Sequence, residues 1–280
     1  MFCLFCNLII VGLGIGFYFY KKQNSTSTPQ IRETNYKKDT VYLYQFNRNS
    51  TVPTLSPFSL KTETWLRSHG IPYENRFVTS DRSSNGYLPF IELNGQIIED
   101  SELIILKLSE YFKIEEYKTP EERAIHNGIQ RLVENHLFYV MIKFKVLDTY
   151  HDLLRYLINE NAQHFKWTNW LMLPFMYFFM YYKFLFRMKA VFGHFSADNF
   201  KILLKKDLDA LNDFLGSKDY FGGDRMNLTD CSVFGMLAST FYLPYWNVAT
   251  EMLNDDYPNL AKFMEKIRKE IWINDFTKSQ

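Results

Sequence analysis

At 280 residues, with 47% hydrophobic and 18% aromatic side chains, the chain can build two modest domains with a sizeable core, which excludes an intrinsically disordered protein. A formal net charge of +1 removes the bulk attraction on which nucleic-acid binding draws, so nucleic acid is not an expected partner and recognition has to be local. Three cysteines, two of them near the amino terminus, imply no disulfide framework.

Residues 2–20 are almost uninterrupted apolar sequence, with Asn7 the clear polar exception, and Lys21 and Lys22 follow at once. At ~1.5 Å per residue such a run spans most of a ~30 Å hydrocarbon core, and no small-residue cleavage site follows it. It therefore predicts an uncleaved transmembrane helix. Lys21, Lys22, Arg32, Lys37 and Lys38 on its C-terminal flank put the folded part on the cytosolic side of a single-pass membrane protein. Cys3 and Cys6 fall inside this run and read as packing residues, with reversible acylation the alternative. Residues 21–39 lack helical or strand periodicity and read as a tether. The glycosylation patterns at Asn24, Asn49 and Asn227 are given no role, because a cytosolic domain would not meet the modifying enzyme.

Residues 40–113 alternate strand and helix. Val41 to Phe46 predicts a first strand, and Pro57 to Leu66 a helix that ends near Gly70, with Ser56 as its cap and proline at its first position. Leu88-Pro89 runs directly into the apolar Phe90 to Leu93. Proline there would cost a ladder hydrogen bond, a conflict that a cis bond in a tight turn removes. Asn94-Gly95 predicts a two-residue hairpin turn, Gln96 to Glu99 the returning strand, and Asp100-Ser101 the cap of a helix carrying Leu103, Ile104, Leu108 and Tyr111. Backbone N–H groups at such a helix start attract a carboxylate.

Residues 118–276 have helical periodicity nearly throughout. Thr119-Pro120-Glu121-Glu122 is a capping box, Cys231 lies on an apolar-periodic helix and reads as core, and Leu260, Phe263, Met264, Ile267 and Ile271 form one apolar face. Trp167 to Phe186 is apolar on every side and carries Pro174. It reads either as a buried or groove-lining helix, or as a second bilayer contact across residues 167–189 with Lys183, Arg187 and Lys189 at the headgroups.

The order of proline, hairpin and Asp100-Ser101 cap resembles the N-terminal domain of glutathione transferases. Tyr220 to Asp224, Asn227 to Gly235 and Tyr257-Pro258-Asn259-Leu260 resemble their helical second domain. Within that superfamily the chain is similar to the failed axon connections group, the cadmium-responsive proteins of nematodes and the metaxins, over roughly residues 41 to 276. The resemblance implies an α/β thioredoxin-like domain at 40–113 and an all-α transferase domain at 118–276, behind the transmembrane helix. It also implies glutathione as substrate or ligand, with the Leu88 backbone and Pro89 pairing with its cysteinyl unit and Asp100 and Ser101 holding its γ-glutamyl end. A homodimer is admitted by the same resemblance.

Thiol activation in tyrosine-type transferases comes from a hydroxyl just before a phenylalanine at the end of the first strand. Placing Phe46 at that phenylalanine puts Gln45 in the hydroxyl position, and strand alternation turns the adjacent Tyr44 to the other face. Ser56 is therefore the candidate catalytic residue, since Ser56-Pro57-Phe58 resembles the start of the first helix in serine- and cysteine-type members, where the helix N-terminus favours a thiolate. A plain helix cap is the competing reading of the same serine. The six histidines are scattered without ligand spacing, so no metal is expected, and a link to cadmium would run through thiol chemistry or a stress response. Two functions stay open: glutathione binding with conjugation to an electrophile in detoxification, and a non-enzymatic adaptor that keeps the fold for protein contact.

Overall fold

Alternation sorts the first strand, β1 (Val41–Gln45), into two faces. Val41 and Leu43 pack with Trp65 and Leu66 of α1 (Pro57–Ser68) and with Ile104, Ile105 and Leu108 of α2 (Ser101–Phe112). Tyr42 and Tyr44 look the other way, where the Tyr44 and Phe90 rings stack at 4.4 Å. With β2 (Tyr73–Phe77), β3 (Phe90–Leu93) and β4 (Gln96–Glu99), the sheet runs in the order β2-β1-β3-β4. The β1–β2 pair is parallel across α1, and the other two pairs are antiparallel. Asn94 and Gly95 both take positive φ, 49° and 77°, as a two-residue hairpin between β3 and β4 requires. The computed structural model describes residues 30–78, 81–161 and 167–277 of the chain.

Residues 30–39, read from sequence as part of a tether, close off the Tyr42 and Tyr44 face of the sheet. The buried Glu92 carboxylate accepts the N–H groups of Arg32 and Glu33 at 2.9 to 3.2 Å, and the Arg32 guanidinium stands 5.1 and 5.0 Å from the Tyr44 and Phe90 rings. Composition hides this arrangement, because the contacts to Glu92 are made by backbone N–H groups that carry no sequence signature.

The second unit is helical. α3 (Pro120–Arg131) is capped by Thr119 and runs on through a π-helical Leu132–Leu137, α4 (Phe138–Ile142) and a second π-helical stretch, Lys143–Leu147. α5 (Tyr150–Asn161), α6 (Trp167–Phe192), α7 (Ala197–Leu215), α8 (Leu228–Phe241), α9 (Val248–Asp255) and α10 (Pro258–Ile271) follow. α8 is the hub, buried from Thr229 to Thr240. Asn227 and Asp230 form a reciprocal capping box, and the Asp230 carboxylate also accepts the N–H groups of Phe221 and Gly222, tying the preceding loop to the helix start.

α8 also joins the two units. A Cβ on Gly235 would lie 2.6 Å from the Pro57 carbonyl oxygen and 2.8 Å from the Lys61 nitrogen, so α8 crosses the first turns of α1 backbone against backbone. Around that crossing Lys61 Nζ meets Glu134 at 2.7 Å, and Ser232 Oγ donates to the same carboxylate at 2.8 Å. The Leu228 N–H and the Trp65 indole both donate to Glu116, and the Trp272 indole donates to Thr64 at 3.1 Å.

A second polar knot lies under the end of β1. Glu63 of α1 is fully buried and accepts from Gln45 at 2.6 Å, Arg48 at 2.8 Å, Tyr73 at 2.9 Å, and Arg67 and Asn75 at 3.1 Å. Burial pushes its carboxyl up, but the Arg48 and Arg67 guanidiniums and the Gln45 amide outweigh it and hold the group down to about 2.

The expected architecture needs one correction. Among the described residues no helix is long and apolar enough to cross a membrane, which overturns both the fold class with a transmembrane helix and the single-pass localisation derived from it. The run at 2–20 on which that expectation rested lies outside the described residues. The long helix α6, apolar over much of its length, is interrupted by Lys183, Arg187 and Lys189. One of its faces goes into the protein, where Phe184, Leu185, Met188 and Phe192 pack on the helical core. Apolar sequence here serves packing between helices. The thioredoxin-like first unit and helical second unit stand as expected.

Two substitutions probe these contacts. In an ordinary helix Gly→Ala stabilises by about 1 kcal/mol, but Gly235→Ala should destabilise by about 1 to 3 kcal/mol in urea unfolding, because the methyl meets the α1 backbone. The depressed Glu63 carboxyl contributes stability that is complete above its ordinary value of 4.5 and is lost as pH falls toward about 2. Glu63→Gln should therefore lower stability at pH 7 by about 3 kcal/mol or more. It should also flatten the acid limb of the stability curve, read by thermal unfolding from pH 6 down.

Candidate functional site

The sheet register gathers the candidate residues at one edge. Tyr44 pairs with Phe90 and Phe90 with Glu99, so the C-terminal end of β1, the N-terminal approach to β3 and the C-terminal end of β4 lie side by side. Leu88-Pro89 and Asp100-Ser101 are therefore neighbours across the hairpin, and α1 opens at the same end with Ser56.

The Leu88-Pro89 bond is cis, as the sequence predicts. The β1–β3 ladder ends at the Tyr44–Phe90 pair, and among the described residues neither the N–H nor the C=O of Leu88 has a backbone partner. An extended segment laid beside Leu88 could continue the ladder. Asp100 takes φ 73°, an unusual conformation for a residue with a side chain, and caps α2 by accepting from the N–H groups of Glu102 and Leu103 at 2.9 and 3.3 Å. Those are two of the N–H groups that a ligand carboxylate would otherwise take. The residue left to meet such a carboxylate is Ser101, whose hydroxyl makes no hydrogen bond to another described residue.

Ser56 is the cap of α1. Its hydroxyl oxygen accepts from the Ser59 N–H at 3.3 Å, which leaves its O–H free to donate. The loop before it, 47–55, is clamped by the second unit: Ser50 N–H donates to Glu160, Thr51 and Tyr156 share a hydrogen bond at 3.0 Å, and Lys145 donates to the Leu55 carbonyl at 2.8 Å. Lys145 also donates to Ser239, and burial pulls its ammonium down to about 7. The Phe58 ring lies 5.0 Å from Phe138, so helical residues also flank the α1 start.

Gln45, which stands where a tyrosine-type activator would, is fully buried and committed to Glu63 and Asn75, and Tyr44 faces away onto Phe90. The Gln45 amide is thus committed inside the protein and the Tyr44 ring to the opposite face of the sheet. Sequence reasoning missed the groups on the far side of this edge. Tyr87, one residue before Leu88, accepts a hydrogen bond from Arg187 of α6, and Asn85 donates to Glu99 at 3.1 Å, just before Asp100. Lys183 and Arg187 are spaced for one helical face, but nothing in the sequence says that this face turns toward residues 85–87. Among the described residues no three histidine, cysteine or carboxylate groups converge as a metal site.

Comparison with known proteins bears on the two-unit fold. A family model described as "Glutathione S-transferase N-terminal domain" matches residues 57–151, and one described as "Glutathione S-transferase, C-terminal domain" matches residues 204–267. Failed axon connections of Drosophila melanogaster is 35% identical over 230 residues, which is 76% of this chain and 53% of that protein, so the chain spans about half the length of this relative. Isoprene-epoxide–glutathione S-transferase of Rhodococcus sp. (strain AD45) is 24% identical over 236 residues, 78% of this chain and 94% of that protein. Among solved structures, a glutathione S-transferase from Methylobacterium radiotolerans in complex with glutathione sulfonate superposes with a TM-score of 0.52 at 17% identity. That match covers 86% of this chain and 96% of the other. With a cis-proline edge beside a capped helix, a helical second unit, and a family match in each, the chain carries the two domains described for glutathione S-transferases and is similar to Failed axon connections.

Proposed function

We propose that the chain binds glutathione at the edge formed by Leu88, Pro89, Asp100 and Ser101. The observation that carries this reading is the Leu88 backbone, left without a backbone partner where the β1–β3 ladder stops and set beside a helix start. The cysteinyl unit would extend the ladder at Leu88, with Ser101 donating to the γ-glutamyl carboxylate. The Asp100 carboxylate already faces the helix N–H groups and could attract only the γ-glutamyl ammonium. Conjugation is the further step of this reading. The Ser56 O–H, which its capping role leaves available, would donate to the glutathione sulfur and favour the thiolate, the thiol proton passing to solvent; the thiolate then attacks an electrophilic carbon and expels its leaving group, chloride in the case of chlorodinitrobenzene.

A second reading is a scaffold that has kept the fold for protein contact. Two observations favour it: Gln45 is locked into the Glu63 knot, and Asp100 takes up two N–H groups that a ligand would use.

Calorimetry with reduced glutathione separates the two. Ser101→Ala should weaken binding by about 1 to 3 kcal/mol, the range for a lost hydrogen bond to a charged group. Ser56→Ala should leave affinity nearly unchanged and lower turnover with chlorodinitrobenzene. Absence of binding at millimolar glutathione would leave the scaffold reading alone. Binding without turnover across several electrophile classes would leave a ligand-binding protein that does not conjugate.

A further inference from the structure

Beside the candidate edge lies a cleft of 460 Å³ between residues 85–87 and one face of α6. Its walls on the helix are Phe179, Tyr182, Lys183, Phe186 and Arg187, spaced three and four apart so that all five share that face. Opposite them stands Tyr87. The Lys183 ammonium lies 5.7 Å and the Arg187 guanidinium 5.1 Å from its ring, and Arg187 also donates to its hydroxyl.

The charge in this cleft is one-sided. Among the described residues no carboxylate lines it, and neither Lys183 nor Arg187 pairs with one. The nearby carboxylate of Glu99 is occupied by Ser84 and Asn85. Partial burial pulls the Lys183 ammonium down to about 8, and the positive charges of Arg187 and Arg82 add to the effect. Two half-buried cations crowding each other, without an anion, form a site that an acid would relax. The apolar part of the ligand is set by the other walls: Phe186 is 69% exposed and Phe179 43% exposed, so aromatic surface stands open beside the cations.

We propose that this cleft binds a small organic acid, its carboxylate held between Lys183 and Arg187 and its flat apolar body laid against Phe179, Tyr182 and Phe186. The cleft and the candidate edge share one stretch of chain, with Tyr87 lining the first and Leu88 forming the second. An acid bound here stands next to whatever occupies the edge. Binding itself does not depend on glutathione, whereas use of the cleft for a second substrate rests on the function proposed above.

The test uses a matched pair of probes, naphthalene-2-carboxylate and naphthalene-2-carboxamide, titrated into the full chain by calorimetry with and without reduced glutathione. The carboxylate should bind about tenfold tighter or more than the amide, since the two differ by a charge-assisted contact. In the double variant Lys183→Gln/Arg187→Gln that preference should vanish while amide affinity stays within about twofold, because the aromatic walls are kept. The charge-keeping Lys183→Arg/Arg187→Lys variant should retain the preference, and far-UV circular dichroism checks that both variants fold. Equal binding of the two probes, absence of binding by either, or a preference that survives removal of both cations would each overturn the proposal. Glutathione affinity, measured in the same titrations, should be unchanged by the double Gln variant, so failure of the acid site and failure of the glutathione reading are told apart.

Discussion

The structure depends on the crossing of α8 over the first turns of α1 at Gly235. Two backbones this close exclude any side chain between them, and close approach gives dispersion contact along both helices. The polar groups brought along with the crossing are satisfied across it, with Lys61 and Ser232 on Glu134 and Leu228 and Trp65 on Glu116. Because α1 opens with Ser56, fixing that helix against the second unit also fixes one corner of the candidate site. Packing far from any ligand therefore sets the position of the hydroxyl expected to meet one.

The same logic runs through the polar knot around Glu63. A buried carboxylate is costly unless enough donors meet it, and here they come from β1, α1, β2 and the loop after β1. This also explains why the position expected to carry an activating hydroxyl holds Gln45. Its amide donates into the knot and cannot also serve the edge. Under the proposed function, activation would fall to Ser56, whose capping bond uses its oxygen as acceptor and leaves its proton. Lys145, buried and donating to the Leu55 carbonyl and Ser239, holds the loop that delivers Ser56.

At the other side of the edge, α6 brings a basic and aromatic face against Tyr87. The sequence leaves two uses for this segment open, a groove-lining helix or a bilayer contact. In the structure Phe184, Leu185, Met188 and Phe192 enter the core, while Phe179, Tyr182, Lys183, Phe186 and Arg187 line a cleft. A helix apolar on every side has no hydrophobic stripe to read, so its orientation was decided by which neighbours could fill the space.

The sequence by itself determined the features that are local in the chain. The Asn94-Gly95 hairpin, the proline starts of α1 and α3, the caps at Ser56, Asp100 and Thr119, the cis bond before Pro89 and the turn of Tyr44 away from Gln45 all follow from turn chemistry, capping or strand alternation within a few residues. Tertiary structure decided what long-range partners control. It folded residues 30–39 onto the sheet through Glu92, drew Gln45 into the Glu63 knot, spent the Asp100 carboxylate on its own helix, and turned Lys183 and Arg187 toward Tyr87. Among the described residues no helix is long and apolar enough to cross a membrane, and in α6 the apolar side chains Phe184, Leu185, Met188 and Phe192 pack on the helical core: apolar composition records that surface must leave water, and only packing shows where it goes.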